Sequence, residues 1–330
     1  MVECGMIGEV SEHQGGLLQV KVPLPYSLKW VNAYLLPGED GWTLIDPGLR
    51  TPESEQAWTR VLEARGIGWD RIARIVLTHH HPDHYGLAGW FQVRTGAPVW
   101  MSKTARDTAL MMWGEGETFS GRLLEAFREH GLPEELGDAM REHLRGFRER
   151  VSPQPSGVTI LEIGRKVRMG GIEWEPIGGE GHAPGHLSFY DRQSRRLICG
   201  DQVMPDISPN IGWLPGGDAD PLGSFLDSSR KMLELDVELA FPGHRDPFAN
   251  FRGRVDELLG HHERRLDKIE GLIGTEPASS FEVCERLFGP HLRGNSHHLR
   301  FGLAETIAHL VHLEKRGRLE RAGDHWSRRL

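Results

Sequence analysis

The residues His79-His80-His81-Pro82-Asp83-His84 place several imidazoles and a carboxylate within one turn's reach, directly after the apolar run 72–78. Both groups ligate transition metals such as zinc and iron. His79 and His81 stand two apart in extended backbone, so they project to the same side and reach one metal. Pro82 forces a turn, after which Asp83 and His84 face a second position. Ligand-type residues recur downstream: His182 in Gly181-His182-Ala183-Pro184-Gly185-His186, Asp201 after Cys199-Gly200, and His244 after Phe241-Pro242-Gly243. Each sits in a Gly- or Pro-marked turn beside an apolar run, where a strand end exposes its side chain. The plainer reading of the first motif is an adventitious His-rich turn. The matched settings downstream argue against it. Five histidines and two aspartates exceed one tetrahedral ion and suit two ions sharing a carboxylate, an arrangement used for in-line displacement and hydrolysis.

Strands and turns must position these groups. Short β-like runs at 31–36 and 42–46 flank a turn at 37–41, and 72–78 reads as a buried strand. Thr51 as N-cap and Gly66 as stop predict a helix over 52–65. Residues 103–150 change character: Met111, Met112, Trp113, Phe119, Leu123, Phe127, Met140, Leu144 and Phe147 recur at largely helical spacing. That stretch reads as a helical insertion between two β-rich halves, with packing as its first role and a lid over a pocket as the functional alternative. Residues 201–223, punctuated by prolines and carrying Trp213, predict a long, ordered, contact-making loop. Short amphipathic helices follow at 255–273, 281–288 and 303–315, with a small β-wing at 317–322. The expected division is a catalytic domain over 1–250 and an accessory domain over 251–330.

Composition narrows the function classes. A chain of 330 residues suits about two domains. A mean hydropathy of −0.43 and the lack of an 18-residue apolar run exclude a membrane-spanning helix. Of the net charge of −8, residues 252–330 carry +2 (14 Lys and Arg against 12 Asp and Glu), which leaves −10 on the rest. An acidic body does not suit a general nucleic-acid binder. Cys4, Cys199 and Cys284 lie too far apart for a disulfide framework. With no basic stretch and apolar run at the start, the expected compartment is the reducing cytoplasm.

The His-x-His-x-Asp-His signature, the His-Ala-Pro-Gly-His turn, the Gly200-Asp201 pair and Pro242-Gly243-His244 together resemble the metallo-β-lactamase superfamily of hydrolases. Asn32 and Ile45-Asp46-Pro47-Gly48 match early positions of that family, and the resemblance spans 18–248. The segments 264–273 and 298–310 resemble the winged-helix extension of its beta-lactamase-like subfamily. The resemblance implies an α/β fold, the αβ/βα four-layer sandwich, with metals at one edge. It implies His79, His81 and His182 on one divalent ion, Asp83, His84 and His244 on the other, and Asp201 bridging. Zinc is the first expectation, with manganese and iron as alternatives. A bridging hydroxide would be the nucleophile, oriented by Asp83, which makes Asp83 and Asp201 the catalytic carboxylates.

Departures from the family refine this. Aspartate at 201, where the best-known true β-lactamases carry cysteine, argues against that activity. Arg245 stands where the family often has glycine. His80, His186 and Asp46 are expected beside the metals, and Cys199 is expected as a buried strand residue. Tyr85, Tyr190 and Trp213 are the candidate substrate contacts, with packing as the alternative role of the two tyrosines. The eight tail histidines, among them His261, His262, His297, His298, His309 and His312, read as surface or helix-packing residues.

Three functions remain. The first is hydrolysis of an ester-like carbonyl: a thioester such as an acyl-CoA or acylglutathione, or a lactone. The second is a phosphodiesterase or endoribonuclease acting on single-stranded RNA, with Lys315, Arg316, Arg318 and Arg321 near the wing as its platform. The third, a ligand-sensing DNA-binding protein, fits poorly with the modest charge. The expected partners are a small-molecule substrate and a second copy of the chain, with no membrane.

Overall fold

Most side chains of the strands Leu17–Pro23, Trp30–Gly38 and Gly41–Ile45 are buried, because layers cover both faces of the sheet they build. In the computed structural model, which describes residues 8–115, 119–274 and 276–329, that sheet has seven strands in sequence order. They are β1 (Val10–His13), β2 (Leu17–Pro23), β3 (Trp30–Gly38), β4 (Gly41–Ile45), β5 (Ile72–Val76), β6 (Val99–Ser102) and β7 (Val158–Leu161). Pairing is antiparallel from β1 to β4 and parallel from β4 to β7. A second sheet joins β8 (Val167–Met169), β9 (Ile172–Gly179), β10 (His186–Asp191), β11 (Arg196–Gly200) and β12 (Leu239–Pro242) in the order β12-β11-β10-β9-β8. Tyr34, Trp174, Phe189 and Phe241 fill the space between the sheets.

Helices close the two outer faces. Trp58 of α1 (Pro52–Ala64) packs edge-on against Phe91, which lies beyond α2 (Pro82–Tyr85) on α3 (Ala88–Thr95). Next come α4 (Lys103–Trp113), α5 (Phe119–Arg128) and α6 (Gly137–Glu149), the expected helical insertion. On the far side, α7 (Pro221–Met232) and α8 (Phe251–Leu272) follow, and Phe251, Val255 and Leu258 cover Tyr190 and Leu197 of the second sheet. The result is the αβ/βα sandwich. Thr51 caps α1 as expected, its hydroxyl accepting from the Ser54 amide at 3.1 Å.

The C-terminal segment adds α9 (Ser280–Phe288), α10 (Ser296–Lys315) and a three-stranded sheet of β13 (Ala278–Ser279), β14 (Leu319–Ala322) and β15 (His325–Arg328). It differs from the sequence expectation in one consequential way. The last helix begins at Ser296 rather than at 303, because the Asn295 side chain accepts from the His298 amide at 3.0 Å and caps it there. Leu299, Leu303 and Ile307 of α10 share one buried cluster with Leu123, Phe127, Met140 and Leu144 of the insertion. A second tie is polar: Trp326 Nε1 donates to Ser280 Oγ at 2.9 Å, and His130 lies 2.8 Å from the same oxygen.

Cys199 and Cys284 are buried free thiols, and Cys4 lies outside the described residues. Among the described residues no helix is long and apolar enough to cross a membrane. Because the tail and the insertion share a core, Leu303→Ala should destabilise the whole chain by about 2–5 kcal/mol. Urea unfolding followed by tryptophan fluorescence and by far-ultraviolet dichroism should shift as one transition. Two separated transitions would mean that 251–330 folds as an independent unit.

Candidate metal centre

Strand direction decides where the candidate ligands meet. β4 and β5 run parallel, and so do β9, β11 and β12 through their pairings with β10 and with each other. Their C-terminal ends therefore open onto one edge of the sandwich. Asp46 leaves β4 there, His79 to His84 leave β5, and His182, Asp201 and His244 follow β9, β11 and β12. Clamps hold the two sheets in register at this edge. The Leu187 amide donates to the Thr78 carbonyl at 2.9 Å. Asn32 Nδ2 donates to the carbonyls of Pro242 at 3.0 Å and Arg245 at 2.5 Å, and Tyr34 Oη donates to Pro242 at 2.6 Å.

Two backbone positions explain the motif. At Gly243 a Cβ would stand 2.1 Å from Asp201 Oδ1 and 2.6 Å from His84 Cε1, so only glycine lets the chain pass the carboxylate. Arg245, where the family often has glycine, holds φ at 73°, in the left-handed region that glycine favours. Its side chain reaches Asp206 at 3.0 Å.

The structure brings together all seven side chains expected at the centre. One atom each from His79, His81 and His182 lies within 4.8 Å of the others, and so does one each from Asp83, His84 and His244. Asp201 stands between the two groups. Its Oδ2 is 3.7 Å from His182 Nε2 and 3.4 Å from His244 Nε2, while Oδ1 is 3.3 Å from His84 Nε2. Asp83 Oδ2 is 3.2 Å from His244 Nε2. The opposite ring nitrogens are pinned. His182 Nδ1 donates to the Asn210 carbonyl at 2.9 Å, His244 Nδ1 to the Trp30 carbonyl at 3.0 Å, and His84 Nδ1 to Asp46 Oδ2 at 2.9 Å. Asp46 also accepts from Thr78 Oγ1 at 2.6 Å, from a left-handed backbone with φ of 51°. Such bonds fix the tautomer and aim Nε2 at a metal position.

These side chains fit a metal because the aimed atoms lack partners outside the cluster. His84 Nε2, His182 Nε2 and Asp201 Oδ1 are buried and face only one another and the neighbouring ligand groups. Orphaned buried polar atoms are rare. His80 lies beside the cluster with both ring nitrogens unpartnered, and His186 Nε2 accepts from the Asp201 amide at 3.3 Å.

The two groups differ in charge. Burial, then the neighbouring imidazoles, hold His79 and His81 well below the usual imidazole range, and burial lowers His182 against the pull of Asp201. Burial also works against the charged forms of His84 and His244, but the surrounding carboxylates overcome it. His84 is raised well above its ordinary value, and His244 is pushed up to about 10. Asp201 and Asp83 are lowered despite burial because those imidazoles face them.

A cavity of about 280 Å³ opens over the cluster, floored by His81, Asp83, His182, Asp201 and His244. None of Tyr85, Tyr190 and Trp213 lines it, which corrects the expected substrate contacts. Tyr85 is buried and donates to Gln154 Oε1 at 2.6 Å. Tyr190 faces the outer helix layer and donates to the Asp236 carbonyl at 2.7 Å. Trp213 packs on the core beside His130, 5.2 Å between ring centroids. The walls come instead from Tyr26, Leu28, Trp113, Phe147, Met204 and Ile207, and from His297, Arg300 and Phe301 of α10. His297 is thus a pocket residue rather than a surface one, while His262 and His309 pack within the helices, 3.2 Å apart. Asn295 was the one sequence signal that would have extended α10 over Arg300. That the helix crosses the mouth of the site follows from packing alone.

An αβ/βα sandwich with imidazole and carboxylate triads at one edge defines a class of metal-dependent hydrolases. The chain belongs to the metallo-β-lactamase superfamily: the family model described as "Metallo-beta-lactamase superfamily" matches residues 31–244, and "Metallo-beta-lactamase-like, C-terminal domain" matches 266–328. It is 28% identical over 306 residues to "Probable metallo-hydrolase YqjP" of Bacillus subtilis (strain 168), covering 90% of this chain and 92% of the relative. A "Hydroxyacylglutathione hydrolase" of Rhodospirillum rubrum is 26% identical over 289 residues, 86% of this chain and 89% of that one. The solved structure of a metallo-beta-lactamase family protein from Thermus thermophilus is similar with a TM-score of 0.86 and 34% identity, over 95% of this chain and 99% of that one. The chain is a metallo-hydrolase of this superfamily.

Two outcomes test the centre. In the metal-free chain the histidines of the His79 group are neutral at neutral pH, whereas His84 and His244 hold protons that a metal must displace. Affinity at the second group should rise as pH climbs from about 6.5 toward 10, while the first stays nearly flat. Equilibrium dialysis should find about one ion per chain at pH ~6.5 and about two at pH ~8.5. A stoichiometry independent of pH would refute the electrostatic split. Separately, Gly243→Ala should displace Asp201 and remove an ion per chain while the thermal midpoint moves by only a few degrees.

Proposed function

We propose that the chain is a binuclear metallohydrolase that cleaves an ester-like carbonyl, with thioesters as the leading substrate class and lactones as the next. In this reading His79, His81 and His182 hold one divalent ion, Asp83, His84 and His244 hold the other, and Asp201 serves both. Zinc is the first choice, since imidazole and carboxylate both ligate it, and manganese or iron suits the same donors. When bound, such a pair supplies a Lewis acid for the carbonyl oxygen and acidifies water. Residues 251–330, read as a winged-helix-like domain, act as part of the pocket rather than as a separate module.

The observation that carries this reading is the cavity itself. Leu28, Trp113, Phe147, Met204, Ile207 and Phe301 give it apolar walls directly above the ligand cluster. An acyl chain fits such walls, and they exclude bulk water from the reacting carbonyl. Asp83, whose side chain is 23% exposed, lines the cavity floor, where its carboxylate can accept the proton of an attacking water. The backbone carbonyls of Asn210 and Trp30 keep the His182 and His244 rings from turning. The relative named for hydroxyacylglutathione hydrolysis agrees with thioester chemistry.

The RNA reading has weaker support. Arg316 pairs with Glu263 at 2.8 Å, Arg318 with Asp267 at 2.8 Å, and Arg321 donates to the carbonyls of Gly323 and Glu129. Arginines engaged in this way offer less to a phosphate backbone, which leaves the exposed Lys315 of the expected platform.

One parallel assay decides between the two. Metal-loaded protein, with Asp201→Ala as the control, should turn over thioesters or lactones at least about a hundredfold faster than the variant. It should leave labelled single-stranded RNA intact at both low and high salt. Salt-sensitive RNA cleavage that exceeds carbonyl turnover would overturn the proposal.

A further inference from the structure

Among the described residues three arginines are buried: Arg196, Arg254 and Arg300, at 7%, 9% and 8% exposure. Two are neutralised. Arg196 pairs with Asp191 at 3.1 Å, and Arg254 pairs with Glu257 at 2.7 Å while donating to the carbonyls of Met204 and Ile207. Among the described residues Arg300 has no ion pair and no hydrogen bond to its guanidinium. Aromatic faces attend it: its guanidinium carbon lies 5.0 Å from the Phe301 ring centroid and 5.5 Å from that of Phe147. Burial pushes it down to about 10, which still leaves it charged at neutral pH. A desolvated cation without a counter-charge is strongly unfavourable in a folded chain. The first turns of α10 nonetheless hold this one in place.

The surroundings indicate what completes it. Arg300 lines the cavity that His81, Asp83, His182, Asp201 and His244 floor. It also lines a narrow branch of about 40 Å³ that Met112, Leu123 and Phe127 close. On the other side the cavity meets an outer cleft of about 810 Å³ through Tyr26, Ser27, Phe147 and His297. The guanidinium therefore faces substrate space, between the reacting centre and aromatic walls. A planar guanidinium accommodates a carboxylate through two parallel N–H bonds, and the aromatic faces favour the flat cation.

We propose that Arg300 is the specificity-determining residue of this site, binding a carboxylate that the substrate carries close to the carbonyl undergoing hydrolysis. The inference rests on the carbonyl-hydrolase reading above and names its substrate class: thioesters or esters that bear a carboxylate on the acyl half or on the leaving group, in place of purely aliphatic acyl chains. It also gives the C-terminal helix a function at the reaction site, since the recognition residue comes from outside the αβ/βα sandwich.

The test uses metal-loaded full-length protein, Arg300→Gln and Arg300→Lys, with metal content measured for each. One arm compares the glutaryl thioester of N-acetylcysteamine with the thioester of the corresponding monoamide. The other compares butyryl thioesters of mercaptopropionate and mercaptopropionamide. In one arm the wild type should prefer the carboxylate by at least about tenfold in kcat/KM, chiefly through KM. Arg300→Gln should bring that ratio to near one while leaving the neutral partner within a few-fold, and Arg300→Lys should keep part of it. The arm that responds identifies the half of the substrate carrying the anion. Calorimetry with glutarate against its monoamide gives a readout independent of turnover, and the same preference should vanish in Arg300→Gln. A preference that survives Arg300→Gln, or equal losses for charged and neutral partners at full metal content, would overturn the assignment. If no thioester or ester is turned over but glutarate binding still depends on Arg300, the carbonyl reading fails and the anion site stands.

Discussion

Everything at the reactive edge depends on one constraint: imidazole nitrogens and carboxylate oxygens are buried together and aimed at each other. Left alone, His79, His81 and His182 would crowd lone pairs into low dielectric, and Asp83 and Asp201 would place two negative charges beside one another. The chain holds them there by engaging the opposite ring nitrogens of His84, His182 and His244. Asp46, the Asn210 and Trp30 carbonyls and the clamp from Asn32 orient the rings and loops, leaving His84 Nε2, His182 Nε2 and Asp201 Oδ1 with no partner outside the cluster. Buried polar atoms without hydrogen bonds call for an explanation, which a bound ion supplies, and the donor types match divalent transition metals.

The sandwich supplies the rigidity this needs. Parallel β4 and β5 and the like-directed β9, β11 and β12 deliver their C-terminal ends to one edge. Loops there are short or pinned across the sheets, as the Leu187 to Thr78 and Asn32 to Gly243 backbone bonds illustrate. Such placement keeps ligand-bearing turns accurate while the packed strands below carry the stability. Glycine at 243 is part of the same design, because the chain must pass the Asp201 carboxylate at a distance no side chain permits.

The C-terminal helices change what kind of site this is. By sharing a core with α5 and α6, α10 is fixed across the mouth of the cavity, and its first turns contribute His297, Arg300 and Phe301 to the wall. A segment whose sequence reads as an appended module thus becomes one side of the pocket. Its basic residues near the last hairpin turn instead toward acidic partners on α8, as the Arg316–Glu263 and Arg318–Asp267 pairs exemplify.

Much of this was legible in the sequence, for physical reasons. Side chains two apart in extended backbone must share a face, Pro82 must turn the chain, and Gly- or Pro-marked turns after apolar runs must expose their polar residues, so the seven side chains could be picked out from order and spacing, while their division between two ions came from the resemblance to a known family. Thr51 and Gly66 marked α1 equally well, because a cap is a local interaction. Contacts between segments far apart in the chain were not legible. Tyr85, Tyr190 and Trp213 adjoin the motifs in sequence, yet their strands and loops turn them into the core. Arg300 and His297 lie more than fifty residues beyond His244 and reach the cavity only because α10 packs on the insertion. Order and spacing determined which side chains could meet a metal, since backbone geometry acts over a few residues. Only the tertiary structure decided what surrounds the substrate, because cavity walls are set by which distant surfaces pack together.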